Sequence, residues 1–388
     1  MSQLRSLIEQ EIRERGPIPF SRYMALCLYH PELGYYARNA AQFGKAGDFY
    51  TSSDVHAVFG RLLARQFDEI WRVLRSPERI TLRELGPGRG LFAQDVLDWS
   101  EKKFPEFFGA LHYELVEQSP ALRERIGRTL ERHVESGKAT LIATLPPAAE
   151  ARSSDSPLFG TSKLVPVPVI VFANEFFDAI PVEVVSTHGS LRINSRDGRF
   201  IETWARASDE ELEFLDRYSV HPEPGERVEV LLQAQQPVHA AADFARGFLI
   251  AIDYGYTRDE QLAGRHRGTL KAIRQHSVGA NGYEAPGEQD ITADVNFTAL
   301  AAGLGKRGFE VQKLVTQSQF LMGIGEANQF ADAFKDCRLP QERAKVALQL
   351  KHLVTPAGMG ESFHVLVASK GVDTEKVAML AGLSFGRR

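Results

Sequence analysis

The chain has 388 residues, of which 43 % are hydrophobic and 25 % charged. These are ordinary values for a globular protein, with enough length for one elaborate domain or two ordinary ones. The net charge of -4 gives no electrostatic footprint for nucleic acid. Two cysteines and 11 histidines without tight spacing predict neither a disulfide framework nor a metal site, and no run of about 18 apolar residues predicts a membrane span.

Residues 1–78 are predicted to form a helical N-terminal extension. Helical spacing covers 4–16, 21–30 and 55–74, and Ser21 is the candidate N-cap of the second helix. A loop rich in glycine and aromatic residues lies between the second and third helices. The glycine-rich stretch GKAGDFY within it favours a segment that closes as a lid when a ligand binds.

Residues 79–388 change pattern and alternate short apolar runs with amphipathic helices. Such alternation predicts an α/β fold with a mostly parallel sheet and helices on both faces. Five strands are followed by two late ones over 308–317 and 362–371, which makes about seven. The predicted interruptions are a polar loop at 151–167, a β-meander at 182–205 and a helical excursion at 317–360.

The stretch ELGPGRG at residues 84–90 joins the first strand of this region to the helix LFAQDVL. It is not a dinucleotide GxGxxG fingerprint, since position 91 is leucine, and it lacks the Gly-Lys-Ser/Thr ending of a phosphate loop. An acid followed by alternating glycines after a first strand instead resembles class I S-adenosylmethionine methyltransferases, in which the loop faces the methionine part of the cofactor. The candidate cofactor residues here are Glu84, Gly86, Pro87, Gly88 and Gly90.

The second strand, HYELVE, ends at Glu117, nearly thirty residues beyond the loop. An acid at this point can accept two hydrogen bonds from the ribose hydroxyls of a nucleoside. The alternative is a solvated strand end.

The fourth strand, VPVIVF, runs directly into ANEFFDAIP. In doubly wound sheets the ligand crevice lies outside the carboxyl ends of strands one and four, so Asn174, Glu175 and Asp178 are candidate catalytic residues. Carboxylates there suit a basic nucleophile such as a guanidinium, which pairs with them bidentately. The alternative is a structural cap, with Phe176 and Phe177 in the core.

Later residues are weaker candidates. Asp253 and Tyr254 end the fifth strand. A structural role, as an acid at the edge of the core and a packing aromatic, is as good an interpretation as a functional role. The stretch RHRGTLKAIRQH favours a solvated basic face over a partner site. His276 within it is more often structural than a proton acceptor.

Taken together, the chain resembles the MidA-like methyltransferases, which include the mitochondrial complex I assembly-factor methyltransferase. The motifs that carry the resemblance are ELGPGRG, VEQSPALRERI, ANEFFDAIPVEVV, AIDYG, GTLKAIRQH and DITADVNF, with PIPFSRYMALCLYHPELGYY and GKAGDFYTSSDVHAVFG before them. They cover nearly the whole chain. The sequence departs from the pattern at Ile273, where an aromatic residue is expected.

The resemblance implies a class I, Rossmann-like fold of seven mostly parallel strands with a helical N-terminal extension, and S-adenosylmethionine as methyl donor. Gly86, Gly88, Gly90 and Glu117 would hold the cofactor, and Gly47, Asp48 and Thr51 would close over it. Eukaryotic members are associated with symmetric dimethylation of an arginine in a respiratory complex I subunit, so a protein substrate of that kind is implied. The start of the chain lacks an Arg-rich, acid-poor presequence, and we expect a bacterial cytoplasmic protein.

Three functions remain open from the sequence. The first is a protein arginine N-methyltransferase. The second is a methyltransferase for a small amine or hydroxyl compound, and Glu175 separates the two because a carboxylate favours a cationic acceptor. The third is an S-adenosylmethionine-binding assembly scaffold without turnover, with the basic segment at 265–274 as its partner surface.

Overall fold

A computed structural model describes residues 2–38, 57–144, 166–232, 241–274, 277–279 and 282–386. The chain forms two compact units, each discontinuous in sequence. The first unit comprises Met1–Tyr50, Glu175–Gln236 and Asp253–Gly303, and the second comprises Thr51–Asn174, Pro237–Ile252 and Leu304–Arg388. The predicted functional division at residue 78 stays a prediction. The two compact units have other boundaries: the helix over 57–73 belongs to the second unit, and the insertion after Asn174 belongs to the first.

The described strands and helices alternate along the chain. The strands are β1 (Ile18–Pro19), β2 (Ile80–Leu85), β3 (Leu111–Val116), β4 (Ala139–Ile142), β5 (Val169–Asn174), β6 (Glu183–Ser186), β7 (Gly189–Arg196), β8 (Arg199–Ala205), β9 (Val228–Val230), β10 (Gly247–Tyr256), β11 (Lys271–Arg274), β12 (Ser277–Gly279), β13 (Asp290–Thr292), β14 (Val295–Asn296), β15 (Glu310–Val311), β16 (Val315–Thr316) and β17 (Phe363–Lys370). The helices are α1 (Gln3–Arg15), α2 (Phe20–Tyr29), α3 (Tyr35–Arg38), α4 (Ala57–Val73), α5 (Leu91–Lys103), α6 (Pro105–Ala110), α7 (Pro120–Thr129), α8 (Glu131–Glu135), α9 (Asp209–Tyr218), α10 (Arg258–Leu262), α11 (Phe297–Gly305), α12 (Gln317–Glu326), α13 (Ala331–Phe334), α14 (Pro340–Val354) and α15 (Thr374–Ala378).

The second unit is built on a sheet with the strand order β15–β17–β10–β5–β2–β3–β4. The pairs β2–β3, β3–β4, β2–β5 and β5–β10 are parallel, whereas β15 and β16 are antiparallel to β17. The α/β class with a mostly parallel sheet is therefore confirmed. The late strand expected over 308–317 is instead two short pieces, β15 and β16, separated by residues 312–314. The Gln312 N–H still donates to the Val367 carbonyl of β17 at 2.9 Å.

The predicted fourth strand, β5, lies between β2 and β10 in this sheet. Its residues from Val169 to Ala173 are all buried, as expected for a parallel strand covered on both faces. The register pairs Leu85 with Ala173 and Asn174 with Ile252. The carboxyl ends of β2, β5 and the part of β10 in this unit consequently lie at one edge of the sheet.

The first unit contains the predicted β-meander as β6, β7 and β8, which pair antiparallel in sequence order. Asp197 and Gly198 link β7 to β8 with φ angles of 52° and 69°, the two left-handed residues of a type I′ hairpin turn. β1 pairs with β7, and β9 pairs with β6. The N-terminal strand and helices are thereby packed on the meander rather than standing apart from it.

One local expectation about a helix is wrong. Ser21 does not cap the second helix, which begins one residue earlier at Phe20 with Pro19 as its N-cap. The Ser21 hydroxyl instead donates to a carboxylate oxygen of Glu183 on β6, and a carboxylate is a stronger acceptor than a neutral group.

None of the described helices combines the length and the apolar character that crossing a bilayer requires. The same residues contain no group of three or more histidine, cysteine, aspartate or glutamate side chains arranged to hold a metal ion.

Candidate functional site

The glycine loop between β2 and α5 has a left-handed backbone at each of its three glycines. The φ angles are 63° at Gly86, 54° at Gly88 and 76° at Gly90, a conformation that L side chains rarely adopt. The Gly86 N–H donates to the Val116 carbonyl at 3.1 Å and the Gly90 N–H to the Pro87 carbonyl at 2.9 Å. Gly90 is also the N-cap of α5, so the loop ends in a fixed helix start.

The two sides of this loop differ in the space around them. A Cβ atom placed on Gly90 would meet Ile126 Cγ2 at 3.1 Å, whereas one placed on Gly88 would meet no described atom within 4 Å. The loop is therefore packed at its helix end and open at Gly88. Open backbone without a side chain is what close approach of a ligand requires.

Glu84, two residues before the first glycine, is buried in the second unit with 4 % of its surface exposed. Its Oε2 accepts the hydroxyl hydrogen of Tyr113 on β3 at 2.8 Å. Burial raises the pKa of Glu84 to about 8, and the Tyr113 hydrogen bond opposes that shift. The carboxyl group is thus mostly protonated at neutral pH, and it supports the base of the loop from inside the sheet.

Glu117 follows the last residue of β3, as the sequence predicts, and is half-buried. Its Oε1 accepts the Ser119 N–H at 2.7 Å, and the Arg123 guanidinium donates to the Glu117 carbonyl oxygen at 2.7 Å. Burial raises its pKa to about 7, opposed by the Ser119 N–H and the Arg123 charge. A carboxylate has about four lone-pair sites, so this hydrogen bond fixes the group and leaves it capacity to accept from ribose hydroxyls.

Asn174 ends β5 in the second unit, at the same sheet edge as the glycine loop. The chain enters the first unit at the next residue, Glu175. The backbone of Glu175 is left-handed, with φ of 50°, which is uncommon for a residue with a side chain and marks a sharp change of direction after the strand.

The segment after Glu175 is held by Asp253, a fully buried residue of β10. Asp253 Oδ2 accepts the backbone N–H groups of Phe176 at 3.1 Å, Phe177 at 2.8 Å and Asp178 at 3.3 Å. Asp253 Oδ1 accepts the Tyr254 N–H at 2.9 Å. Of the two interpretations left open for Asp253, the structure favours the structural one.

Asp178 is nearly buried and lies among further acids of the first unit. Burial raises its pKa to about 7, the Asp294 charge adds to that rise, and the Lys271 charge opposes it. The pKa of Tyr254 is raised by burial and by the charges of Glu175 and Asp178. These carboxylates consequently share one region of negative potential.

Two tyrosines of the N-terminal helices reach this region, which the sequence did not reveal. The Tyr29 hydroxyl donates to the Ala179 carbonyl at 2.9 Å, and the Tyr36 hydroxyl donates to Asp290 Oδ1 at 3.2 Å. The signal was the aromatic-rich stretch LYHPELGYYAR, which gives no partner by itself because the contacts span 150 and 254 residues.

Some predicted residues cannot be placed in the site. Gly47, Asp48, Thr51 and His276 lie outside the described residues, so their roles and the lid stay predictions. A cavity of about 260 Å³ in the second unit is lined by Arg75, Arg246 and residues 371–373. It adjoins the start of β10 rather than the end where the candidate residues lie.

Comparisons with known proteins agree with this geometry. Residues 62–315 match a family described as S-adenosyl-L-methionine-dependent methyltransferases. The chain is 31% identical over 391 residues to the mitochondrial protein arginine methyltransferase NDUFAF7 homolog of Drosophila melanogaster, covering 94% of this chain and 84% of that one. Its human relative, protein arginine methyltransferase NDUFAF7, is 27% identical, with 91% and 80% covered.

A crystal structure from Burkholderia thailandensis, bound to S-adenosyl-homocysteine, shares the fold at a TM-score of 0.79 and 27% identity. It covers 98% of this chain and 94% of its own. A second structure from that organism gives a TM-score of 0.77 at 26% identity.

The fold and the glycine loop define a class I S-adenosylmethionine-dependent methyltransferase. More narrowly, the chain belongs to the MidA-like family of these enzymes. The residues fit the cofactor, because the loop is open at Gly88 and Glu117 is fixed at the end of β3.

The open space at Gly88 can be tested with asparagine, which tolerates a left-handed backbone better than most residues. We expect Gly88→Asn to fold and to lose S-adenosylmethionine affinity by about tenfold or more, because its side chain fills the space that the ligand needs. The measurement is isothermal titration. Gly137→Asn is the matched control, since Gly137 has φ of 70° and equally open surroundings; equal loss of affinity in both variants would contradict this assignment.

The raised pKa of Glu117 makes cofactor affinity depend on pH. Only the ionised carboxylate keeps its full acceptor capacity, so we expect affinity for S-adenosylmethionine to fall by roughly fivefold to tenfold between about pH 8 and pH 6. Glu117→Gln should bind about ten to a hundred times more weakly and lose most of that pH dependence. Glu114→Gln on the same strand, whose carboxylate pairs with Arg83, should behave as wild type; an unchanged pH profile in Glu117→Gln would refute the role.

Glu84 makes a separate prediction about stability. Its pKa in the folded protein, about 8, lies above its ordinary value of 4.5. Its contribution to the free energy of unfolding is therefore fully present below pH 4.5 and is lost as pH rises through 8. Relative to Glu84→Gln, the wild type should lose free energy of unfolding with rising pH, by about 1.4 kcal/mol for each unit of pKa shift. Urea unfolding across this range measures it. Glu101→Gln, an exposed acid in the same unit, is the control, and parallel curves for wild type and Glu84→Gln would refute the assignment.

Proposed function

We propose that this methyltransferase acts on the guanidinium group of arginine in a protein. The observation that carries the proposal is the group of acids in the first unit: Glu175 and Asp178 lie in the segment directly after β5, and Asp253 accepts the backbone N–H groups of residues 176–178. A cationic acceptor loses its hydration on binding, and fixed negative charge offsets that loss.

The guanidinium is the acceptor that fits this arrangement best. It carries five N–H donors in a planar fork that matches the oxygens of carboxylates. Glu175 is half-buried rather than enclosed, and Phe176 beside it is also half-buried. A neutral hydroxyl acceptor would gain little from several neighbouring acids, because hydrogen bonds between charged donors and carboxylates are the stronger ones.

Bound S-adenosylmethionine supplies a methyl group on a positively charged sulfur. The acceptor nitrogen gives its electron pair to the methyl carbon, the bond from that carbon to sulfur breaks, and the nitrogen releases one proton. Asp178 is the proposed proton acceptor, because its pKa of about 7 is closer to neutrality than that of an ordinary carboxyl. Orienting the nitrogen in line is the remaining task of the carboxylates.

The names of the relatives support the same substrate class. The proteins from fly and human are called protein arginine methyltransferases, and both are called mitochondrial. A protein substrate, and within that class a respiratory complex subunit, is the corresponding proposal for this chain. A bacterial cytoplasmic location remains a proposal.

A scaffold without turnover is less favoured. Its expected partner surface was the basic segment at 265–274, but cations there are paired within the first unit. Arg267 lies 2.6 Å from Glu226, Lys271 lies 3.1 Å from Asp294, and Arg265 lies 3.5 Å from Glu260. Charges that are already paired offer less to a partner.

The test uses purified full-length protein, S-adenosylmethionine with a labelled methyl group, and protein extract from source cells lacking the gene. We expect label in methylarginine after acid hydrolysis of the extract. Glu175→Gln should reduce this labelling about ten- to a hundredfold, the worth of a hydrogen bond to a charged group.

Glu226→Gln, an acid of the same unit paired with Arg267, is the control and should label as wild type. Label confined to small molecules or to residues other than arginine would contradict the proposal. So would an equal effect of Glu175→Gln on a cationic and a neutral acceptor.

A further inference from the structure

Asp253 makes an unusual set of hydrogen bonds for a buried carboxylate. One oxygen accepts three consecutive backbone N–H groups, those of residues 176, 177 and 178, and the other accepts the Tyr254 N–H. The residue is fully buried. Burying a carboxylate is costly unless hydrogen bonds compensate for lost hydration. Burial and the Asp178 charge raise the pKa of Asp253, and the Phe177 and Tyr254 N–H groups oppose that rise in part.

Three consecutive amides reach one oxygen only where the backbone folds into a concave turn. The first residue of this turn, Glu175, has φ of 50°, a conformation that residues other than glycine rarely adopt. Such a backbone persists only where its surroundings hold it. The Asp253 carboxylate supplies that restraint for the stretch from Glu175 to Asp178, which we call the acidic turn.

The acidic turn has a fixed side and a presented side. Phe177 is 1% exposed and Asp178 is 6% exposed, and the Ala293 N–H donates to the Asp178 carbonyl at 2.9 Å. Glu175 is only half-buried. Anchoring one side of a turn sets the direction in which the other side points.

We propose that Asp253 is a positioning residue, which holds the acidic turn so that Glu175, on its presented side, receives the acceptor nitrogen in a reactive geometry, with the buried Asp178 held in a fixed place behind it. This rests on the proposed function. Asp253 itself needs no contact with the acceptor, and it acts through the backbone of its neighbours. Its removal should therefore change kcat far more than cofactor affinity, because small displacements of orienting groups cost much of the rate.

The variants are Asp253→Ala, which removes the acceptor, and Asp253→Asn, which keeps one oxygen for the three amides. Glu229 provides a matched control: it is buried in the same unit and accepts from the Thr269 hydroxyl and the Leu270 N–H. Glu229→Gln should cost stability without touching the turn.

We expect Asp253→Ala to lower kcat per folded molecule about a hundredfold, with the affinity for S-adenosylmethionine within about twofold of wild type. The kcat of Asp253→Asn should lie between those of wild type and Asp253→Ala, and Glu229→Gln should keep the wild-type kcat. The double variant Asp253→Ala/Glu175→Gln should lose little beyond the larger single loss, since residues that act as one unit are not additive. Additive losses, or an unchanged kcat in Asp253→Ala, would overturn the inference.

Hydrogen exchange gives a readout that needs no turnover. The amides of residues 176–178 should exchange about a hundred times faster in Asp253→Ala than in wild type, at an intermediate rate in Asp253→Asn, and at the wild-type rate in Glu229→Gln. If wild type methylated no arginine, the proposed function would fail while exchange still reported whether Asp253 holds the turn. Equal exchange in wild type and both Asp253 variants would sink the inference by itself.

Discussion

β5 has a parallel hydrogen-bonded neighbour on each side, β2 and β10, and this double pairing fixes where the chemistry of the second unit lies. The register that pairs Leu85 with Ala173 also sets Asn174 beside Ile252. A slip of one residue would turn every side chain of the strand to the opposite face of the sheet. With β5 buried on both faces, such a slip would gain nothing, so the carboxyl ends of the strands are held together at one edge. The glycine loop and Asn174 are brought to that edge by the pairing itself.

The two units place buried acids near proposed functional segments, but they compensate those acids differently. Glu84 accepts a hydrogen bond from one hydroxyl and rests with a raised pKa, so its neutral form is accommodated inside the sheet. Asp253 accepts hydrogen bonds from four backbone N–H groups. These hydrogen bonds restrain the backbone to which the donors belong. Glu84 is therefore bonded to one side chain of the neighbouring strand, whereas Asp253 holds the backbone of a turn.

The sequence identified features that depend on local chemistry. Alternating glycines predicted a turn between a strand and a helix, and the structure has this turn between β2 and α5, with left-handed backbone at Gly86, Gly88 and Gly90. An apolar run ending in polar residues predicted a buried strand and its end, and β5 ends at Asn174. Long-range partners could not be found this way. Ser21 bonds to Glu183, 162 residues away, and Asp253 bonds to amides 75 to 77 residues earlier; periodicity and turn preferences contain no information about such distant pairs.

The composition of the two units from separate stretches of the chain could not be predicted from the sequence for the same reason. The sequence predicted the insertion after β5 as an interruption of the catalytic domain. In the structure its strand β7 pairs with β1 from the N-terminal segment, and this pairing joins stretches that are far apart in the chain.

The charges of the first unit also bear on the order of events at an arginine. A free guanidinium keeps its proton at any physiological pH, so loss of that proton must accompany or follow formation of the new N–C bond. A carboxylate of ordinary pKa would stabilise the cation but accept its proton poorly. In the proposed reaction, Asp178, whose pKa is near neutrality because of burial and Asp294, would accept it more readily. Glu175 would then stay ionised and hold the cation, so that each of the two acids would have one task. That division requires the two carboxylates to keep a fixed relation, which their shared turn provides.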